Sequence, residues 1–321
     1  MTLDPRLQPL IAAPTPVPAT HEEAAQIRAA SHAVAEQMQS MVATPGPEMS
    51  VHDETVPVQG GEISVRIYRP SDERPLPGCV YLHGGGWWAG NLTLTDPECR
   101  QTAKAADCIV VSVEYRLAPE HPFPTPLEDS YAALLWVVEH ADRLGIDPQR
   151  IAICGGSAGA NLAAAVALLA RDRGGPKLVG QALIVPATDA TLSQQSVKDF
   201  GEGYGLDKVQ IDYCVKAYLG ENGDPRNPLI SPLFADLHEL PPALIVTAEY
   251  DPIKDQGDAY AERLRAAGVE TESVCMKGML HGSFVLDKVV PDAAETYYRT
   301  LGDFLARVLR RQAAQTAPTP A

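Results

Sequence analysis

The run RIAICGGSAGANLAAAV occupies residues 150–166 and carries the strongest structural signal in the chain. Its first part is apolar, as in a buried strand, and its last part is rich in alanine and leucine, which predicts a helix. Between them, Ser157 is flanked by Gly155 and Gly159, two residues away on either side. Side chains at those positions would clash where a strand turns sharply into a helix. The pattern therefore predicts a tight strand-to-helix turn that exposes the hydroxyl of Ser157 as a nucleophile.

A second glycine-rich turn, HGGGW at residues 83–87, follows the apolar run 78–82. Taken alone, the first turn could be an ordinary connection whose serine caps a helix. Together the two turns predict a nucleophile and an oxyanion hole, because glycine lets backbone N–H groups approach a substrate closely. His83 precedes the glycines and is interpreted as a structural residue that shapes the loop. The predicted donors of the oxyanion hole are the N–H groups of Gly84, Gly85 and Ala158.

A serine hydroxyl needs a neighbouring base, and in chains with this turn the acid and the histidine follow the serine. Of the eight histidines, only His238 and His281 do so. His238 lies in ADLHELP, residues 235–241, which is typical of a surface turn. His281 follows the strand-like run 274–280 and precedes a glycine. We therefore predict that His281 is the general base.

Two aspartates compete to orient that base. Asp189 follows the apolar run 181–186, and Asp251 follows the run 242–248 and precedes a proline that fixes its turn. Both are sterically suitable, because the carboxyl ends of parallel strands share one edge of a sheet. Asp251 lies one strand before the histidine and is favoured, which leaves Asp189 to cap a turn or line the pocket. Asp255 is predicted to cap the following helix.

The segment YRLAPEHPFP, residues 115–124, adds a further motif to this set. Together with the two glycine turns, with DPIKD at 251–255 and with HG at 281–282, it resembles the hormone-sensitive-lipase-like family of α/β-hydrolases, which includes many bacterial carboxylesterases. The matching motifs run from about residue 60 to residue 285. The resemblance implies that no cofactor or metal is needed. It also implies a catalytic triad of Ser157, Asp251 and His281, with an oxyanion hole of Gly84, Gly85 and Ala158.

Two positions depart from the pattern of that family. Gly156 stands where the family usually has Asp or Thr before the nucleophile, so the hydrogen bonds of that side chain are missing. After the histidine, this chain has Ser283 and then Phe284, whereas the family usually has Phe two residues after it. The second departure affects the pocket wall near His281 and leaves the triad intact.

Short apolar runs alternate with longer helical patterns along the chain, as in buried parallel strands joined by helices. The resemblance implies an α/β-hydrolase fold, with a mostly parallel eight-stranded sheet flanked by helices and a helical cap. We expect an antiparallel hairpin at its start, from residues 51–58 to 63–68. The predicted domains are an N-terminal arm at 1–50 that contributes to the cap, a catalytic domain at 51–312 with a second cap segment at 190–225, and a disordered tail at 313–321.

Seven helices are predicted, at residues 22–41, 95–106, 127–143, 158–171, 207–219, 256–267 and 292–310. Residues 1–19 are rich in proline and are predicted to be extended. The first helix is amphipathic, and its predicted apolar face consists of Ala24, Ile27, Ala30, Val34 and Met38. It is either a packed arm or, as the resemblance favours, part of a lid over the pocket.

Six large side chains near the motifs or the cap are candidates for the wall of the substrate pocket. The alternative for each is ordinary core or surface packing. The candidates are Trp87, Trp88, Tyr204, Leu206, Leu280 and Phe284.

Composition narrows the range of possible partners and cellular compartments. With 321 residues and a formal net charge of −15, the chain is long enough for one large domain with a cap, and its acidity disfavours nucleic acid as a partner. Its six cysteines lack metal-ligand spacing and fit a reducing compartment. Because no signal peptide or long apolar segment is visible, we expect a cytoplasmic protein without a membrane span. The sequence leaves open whether the chain forms a homodimer.

The leading hypothesis from the sequence is a serine carboxylesterase that hydrolyses short to medium acyl esters through an acyl-enzyme, with a small-molecule ester as its partner. The same triad could serve an amide or aryl-ester deacetylase, or a lyase. A third interpretation is a ligand-binding protein that kept the fold without catalysis. The natural substrate is not predicted, because the shape of the pocket depends on loops and cap contacts.

Overall fold

The sheet is central to the computed structural model, which describes residues 2–11 and 17–311. Its strands are β1 (Ser50–Val58), β2 (Gly61–Arg69), β3 (Leu76–Leu82), β4 (Ile109–Glu114), β5 (Ile146–Gly156), β6 (Gly180–Ile184), β7 (Ala243–Tyr250) and β8 (Thr271–Leu280). They form one eight-stranded sheet in the order β1-β2-β4-β3-β5-β6-β7-β8. β1 and β2 form the predicted antiparallel hairpin, β2 is antiparallel to β4, and the remaining neighbours are parallel. The predicted mostly parallel sheet is confirmed.

The α-helices of the described residues are α1 (His21–Val42), α2 (Asp96–Ala106), α3 (Thr125–Glu139), α4 (Ala141–Leu144), α5 (Ala158–Asp172), α6 (Gln195–Phe200), α7 (Lys208–Leu219), α8 (Lys254–Ala266) and α9 (Pro291–Arg311). All seven predicted helices are present, but the one predicted at 127–143 is divided at His140 into α3 and α4. α6 was not predicted, because six residues carry too little periodicity to indicate a helix. No described helix combines the length and the apolar character that a membrane crossing requires.

Helices cover both faces of the sheet and give two apolar cores. On one face, residues of α3, α5 and α8 pack around strand side chains such as Val80 and Ile153. On the other face, residues of α2 and α9 pack around Tyr81 and Cys154. Successive residues of a strand point to opposite faces, so neighbours in β3 and β5 enter different cores. The carboxyl ends of β5, β7 and β8 are thereby held rigidly at one edge, where the candidate site lies.

The N-terminal arm differs from the extended chain predicted for residues 1–19. Pro5–Leu10 form a 3₁₀ helix, and the side chain of Leu7 is fully buried in the core. Asp4 accepts a hydrogen bond from the N–H of Arg6 and so caps this helix. Proline suits the first turn of a helix because its φ is already fixed there. Residue 1, residues 12–16 and the tail predicted to be disordered at 313–321 lie outside the described residues.

All six cysteines are free thiols. Four of them are buried, at positions 79, 99, 108 and 154, as small core residues usually are. Cys275 in β8 and Cys214 in α7 are only partly buried.

Candidate active site

The turn between β5 and α5 requires glycine at two positions. A Cβ on Gly155 would lie 2.4 Å from the carbonyl oxygen of Gly159, and a Cβ on Gly159 would lie 2.0 Å from that of Leu82. The clash expected on both sides of the serine is therefore present. Ser157 has a φ of 55°, in the left-handed region that non-glycine residues rarely adopt. Its N–H donates to the carbonyl oxygen of Ile184 at 2.8 Å, which holds the turn in place.

A continuous chain of hydrogen bonds joins Ser157, His281 and Asp251. Nε2 of His281 lies 3.0 Å from Oγ of Ser157, and Nδ1 of His281 lies 2.8 Å from Oδ2 of Asp251. The Asp251 carboxylate is fully buried, and its Oδ1 accepts from the N–H of Ile253 at 2.9 Å. The carboxylate therefore keeps the proton of the neutral imidazole on Nδ1, which leaves Nε2 to accept the proton of the serine.

The competing acid, Asp189, is hydrogen-bonded within its own loop. Its Oδ1 accepts from the N–H and the hydroxyl of Thr191 at 2.9 and 2.5 Å, and its Oδ2 accepts from the hydroxyl of Ser193 at 3.2 Å. It also lines the cavity described below, so it both caps a turn and lines the pocket. The prediction that Asp255 caps its own helix is wrong. Its Oδ2 accepts instead from the N–H of Ser196 at 2.8 Å, which ties the start of α8 to α6 of the cap.

The HGGGW turn packs directly against the turn at Ser157. Both are named after their predicted roles, residues 83–90 as the oxyanion loop and residues 155–159 as the nucleophile turn. A Cβ on Gly84 would lie 3.5 Å from Cβ of Ser157, and a Cβ on Gly85, which has a φ of 118°, would lie 2.2 Å from the carbonyl oxygen of Ala89. Ala158 is the first residue of α5, where the helix dipole favours negative charge. The residues predicted to form the oxyanion hole all line the cavity next to the serine; these are Gly84, Gly85 and Ala158.

His83 fixes the start of this loop. Its buried ring stacks on Tyr115 with the centroids 4.2 Å apart, and its Nδ1 lies 2.8 Å from the carbonyl oxygen of Gly84. The hydroxyl of Tyr115 donates to the carbonyl oxygen of His83 at 2.7 Å. Burial lowers the pKa of His83 to about 4, so the ring stays neutral and donates from Nδ1. These contacts agree with the structural role that the sequence predicted for His83.

The far end of the oxyanion loop is held by α1 through Arg28. Nε of Arg28 donates to the carbonyl oxygen of Trp88 at 2.6 Å, and its Nη2 donates to that of Ala118 at 3.1 Å. The same guanidinium forms an ion pair with Glu120 at 2.7 Å. Arg28 thus links the N-terminal arm to the loop and to the segment 115–124 that the sequence singled out.

His32, one turn further along α1, contacts the same loop. Its Nε2 accepts from the N–H of Gly90 at 3.0 Å, which requires the neutral imidazole. Burial, together with the nearby charge of Arg28, lowers the pKa of His32 and favours that form. The contacts of α1 with this loop are therefore polar.

The apolar face predicted for α1 is correct only in its first part. Ala24 is buried and Ile27 is partly buried, whereas Ala30 is exposed and Val34 and Met38 are 55% and 46% exposed.

A cavity of about 530 Å³ contains the serine and the histidine. It is bounded by the two glycine turns, by the carboxyl ends of the strands and by both parts of the cap. Most of its side chains are apolar, so it suits uncharged ligands. The described residues contain no group of three or more His, Cys, Asp or Glu side chains placed to hold a metal ion. The cap contributes Ser31, His32 and Ala35 from α1 and Ile211, Cys214 and Val215 from α7.

Three of the six predicted wall residues line this cavity: Trp87, Trp88 and Leu206. Trp87 stacks on Tyr218 with the ring centroids 4.5 Å apart, and Trp88 meets Tyr213 edge-on at 5.1 Å. Both partners belong to α7, so the indoles join the oxyanion loop to the cap.

The other three predicted wall residues do not line it. Tyr204 stacks on Tyr250 at 5.7 Å, and Phe284 is fully buried against Tyr297 at 4.8 Å. Leu280 is buried in the core under the sheet. Proximity to a motif in the sequence was misleading here, because neighbours along a strand or turn point in opposite directions.

Comparison with known proteins supports the assignment of the fold and of the family independently of the site geometry. A family model described as the alpha/beta hydrolase fold matches residues 79–285. Carboxylesterase NlhH of Mycobacterium tuberculosis is 49% identical over 245 residues, which cover 75% of this chain and 77% of NlhH. The chain belongs to the hormone-sensitive-lipase-like family of α/β-hydrolases. Carboxylic ester hydrolase LipN of the same organism is 46% identical over 235 residues, which cover 71% of this chain and 62% of LipN.

Solved esterase structures extend the family likeness to nearly the whole chain. The hyperthermophilic esterase of Pyrobaculum calidifontis superposes with a TM-score of 0.89 at 38% identity, and the match covers 96% of this chain and 99% of that one. EstE1, a carboxylesterase cloned from a metagenomic library, gives a TM-score of 0.85 at 38% identity over 89% and 97% of the two chains. As a member of this hormone-sensitive-lipase-like family, the chain is a carboxylic ester hydrolase.

The sequence pattern did not indicate Arg28 and His32, the residues by which α1 holds the oxyanion loop. Arg28 and His32 are four residues apart, a spacing that places them on one helix face and could have indicated a shared polar contact. Cys214 of α7 gave no such signal. A Cβ on Gly86 would lie 2.3 Å from the sulfur of Cys214, so this glycine is needed for α7 to approach the loop.

Proposed function

We propose that this chain is a serine carboxylesterase that hydrolyses uncharged, short- to medium-chain acyl esters through an acyl-enzyme. The observation that carries the proposal is the hydrogen-bonded chain from Asp251 through His281 to Ser157, with distances of 2.8 and 3.0 Å, inside a cavity of about 530 Å³. Relatives that bear carboxylesterase names support the same reaction class.

In the acylation step, Oγ of Ser157 attacks the carbonyl carbon of the ester while Nε2 of His281 takes its proton. The buried carboxylate of Asp251 stabilises the imidazolium that forms. Backbone N–H groups of the two glycine turns stabilise the oxyanion, and the loss of one such donor typically costs about 3 kcal/mol. The intermediate then collapses, the carbon–oxygen bond to the alcohol breaks, and His281 returns the proton to the departing alcohol.

In the deacylation step, water attacks the acyl carbon of the ester on Ser157. Nε2 of His281 accepts a proton from the water and then donates it to Oγ of Ser157 as the acyl bond breaks. The carboxylic acid leaves, and the enzyme returns to its starting state.

The size and lining of the cavity support the substrate range. A mainly apolar space of this volume fits ligands of moderate size, and the net charge of −15 disfavours anionic ones. We expect butyrate and hexanoate esters to be better substrates than emulsions of long-chain triglycerides. The arylesterase of Saccharolobus solfataricus, 44% identical over 222 residues, supports the inclusion of aryl esters among the compounds tested.

A partition experiment tests this proposal. Ethyl, phenyl and p-nitrophenyl butyrate are each hydrolysed in the presence of methanol, and butyrate and methyl butyrate are quantified. A common butyryl-Ser157 intermediate gives the same product ratio for all three leaving groups. A ratio that depends on the leaving group would contradict the acyl-enzyme. Binding without turnover would indicate the ligand-binding alternative, and faster cleavage of p-nitroacetanilide than of acetate esters would indicate an amidase.

A further inference from the structure

The three glycines around the nucleophile differ in what they make room for. At Gly155 and Gly159 a Cβ would run into backbone carbonyl groups, at 2.4 and 2.0 Å. At Gly156 the nearest atom to such a Cβ is the hydroxyl oxygen of Tyr81, 3.8 Å away, and the φ of Gly156 lies outside the left-handed region. Neither backbone conformation nor packing therefore requires glycine at position 156. Gly156 lines the cavity, and because it has no side chain it leaves a recess in the cavity wall.

The hydroxyl of Tyr81 borders this recess, and a hydrogen bond joins Tyr81 to the carboxyl group of Glu98. Tyr81 and Glu98 both line the cavity, although they come from different elements, β3 and α2. Tyr81 is almost completely buried, whereas Glu98 keeps part of its surface exposed. The hydroxyl of Tyr297 donates to Oε1 of Glu98 at 2.6 Å, which fixes the carboxyl group from the core side. The mechanism proposed above makes no use of this group of residues.

The border of the recess is polar, and burial there disfavours the charged form of its side chains. Burial raises the pKa of Glu98, and hydrogen bonds from Tyr297 and Tyr81 oppose that change only in part. Burial also raises the pKa of Tyr81 well above its usual value. A carboxyl group accepts hydrogen bonds in either protonation state, and a phenol both donates and accepts them. A hydroxyl group of a ligand, which also donates and accepts, could therefore form hydrogen bonds with both side chains, whereas burial disfavours an anionic ligand there.

We propose that Gly156, Tyr81 and Glu98 form a polar subsite that binds an uncharged hydroxyl group of the substrate. The proposal rests on the proposed esterase function and specifies its substrate class. Esters that carry a hydroxyl group a few atoms from the scissile bond are favoured over hydrocarbon esters of the same shape. The rest of the cavity, which is mainly apolar, holds the remainder of the substrate.

Two pairs of esters of equal size test the subsite. Hydroxyethyl butyrate is compared with propyl butyrate for the alcohol side, and ethyl hydroxypropionate with its hydroxyl group at the chain end is compared with ethyl butyrate for the acyl side. The readout is the ratio of kcat/KM within each pair, so a general effect on the nucleophile turn cancels. We expect a ratio above one in at least one pair for the wild type. Gly156→Ala fills the recess with a methyl group and should lower that ratio about tenfold, the value of one net hydrogen bond.

Glu98→Leu should lower the same ratio, and Glu98→Gln, which keeps a donor and an acceptor, should restore most of it. Gly61→Ala is the matched control, because a Cβ there meets nothing within 4 Å and the residue lies in the β1–β2 hairpin. It should leave the ratio unchanged.

If Glu98→Leu does not fold, Gly156→Ala decides alone, since its Cβ has room. A ratio that is the same in wild type and Gly156→Ala, with the hydrocarbon esters still hydrolysed, overturns the subsite but not the esterase. Failure to hydrolyse any of the four esters overturns the proposed function instead.

Discussion

The nucleophile turn and the cap border one cavity but are held in place by different kinds of contact. At the turn, a Cβ on Gly159 would lie 2.0 Å from a carbonyl oxygen, so the backbone path itself depends on which residue is present. The cap helix α1 instead reaches the oxyanion loop through the tips of two polar side chains, Arg28 and His32. The turn is thus specified locally, within a few residues, whereas the cap is specified by contacts between distant parts of the chain.

This difference predicts a gradient of functional effects. Changes among the residues held by the turns should remove the chemistry, because the reacting atoms must be placed to within a fraction of an ångström. Changes in the cap contacts should loosen the oxyanion loop and weaken its stabilisation of the transition state, while the nucleophile stays in place.

Ser157→Ala should lower kcat for ester hydrolysis by roughly 10⁴-fold or more, because no other nucleophile is available at the turn. Hydrolysis of p-nitrophenyl butyrate by purified protein measures this, and circular dichroism checks that the fold is kept. Turnover close to that of the wild type in a contamination-free preparation would show that the turn does not carry the nucleophile.

Asp251→Asn should lower kcat by roughly 10³-fold, because the amide no longer holds the histidine in the tautomer that accepts the serine proton. Asp189→Asn is the matched control. It changes a carboxylate of the same cavity that bonds only within its own loop, so its effect should stay within a few-fold. If the Asp189 variant were the more damaged one, the assignment of the acid would be wrong.

Arg28→Ala should reduce kcat/KM roughly tenfold, since a charge-assisted contact to the loop is worth about 1.5–3 kcal/mol and part of the loop stays held by His83. The reduction should appear largely in kcat, because the oxyanion loop acts in the transition state. Arg6→Ala, which removes a surface ion pair of the same arm with Asp4 and Asp292, should leave the kinetics unchanged. Equal effects of the two substitutions would mean that Arg28 only stabilises the arm.

The buried His83 in the oxyanion loop makes the free energy of unfolding of the protein depend on pH. Burial lowers its pKa in the folded protein to about 4, from an ordinary value of 6.5. Between these values the unfolded chain binds a proton that the folded chain does not, so the free energy of unfolding falls as pH decreases, by up to about 1.4 kcal/mol per pH unit. The stability that the neutral ring provides is complete above the ordinary value and is lost as pH falls below it.

His83→Gln removes this titration and keeps an N–H donor for the loop. Urea unfolding at a series of pH values between about 7 and 5 should therefore give a shallower decrease for the variant than for the wild type. Parallel curves would show that His83 does not titrate with folding.

The sequence predicted the sheet and the grouping of Ser157, His281 and Asp251 because both depend on short-range rules. Apolar runs indicate buried strands, and parallel strands bring their carboxyl ends to one edge, which is why Asp251 and His281 could be placed beside Ser157 before their contacts were known. The steric need for Gly155 and Gly159 follows in the same way from the turn itself.

The cap could be predicted only in outline. Helical periodicity located α1 and α7, but the apolar face that it predicted for α1 is buried only at its start, at Ala24. The same helix holds the oxyanion loop through polar side chains, which the periodicity did not indicate. The orientation of Tyr204 and Phe284 depends likewise on aromatic partners elsewhere in the chain. Such contacts are decided by tertiary packing, on which local pattern gives no information.

The most direct test of the central claim is covalent labelling by diethyl p-nitrophenyl phosphate, a serine-reactive organophosphate, read by intact mass and peptide mapping. The account predicts one diethylphosphoryl group per chain, attached to Ser157, with loss of esterase activity in proportion to labelling. Ser157→Ala should remain unlabelled under the same conditions. Stoichiometric labelling at another residue, or full esterase activity in protein fully labelled at Ser157, would contradict it.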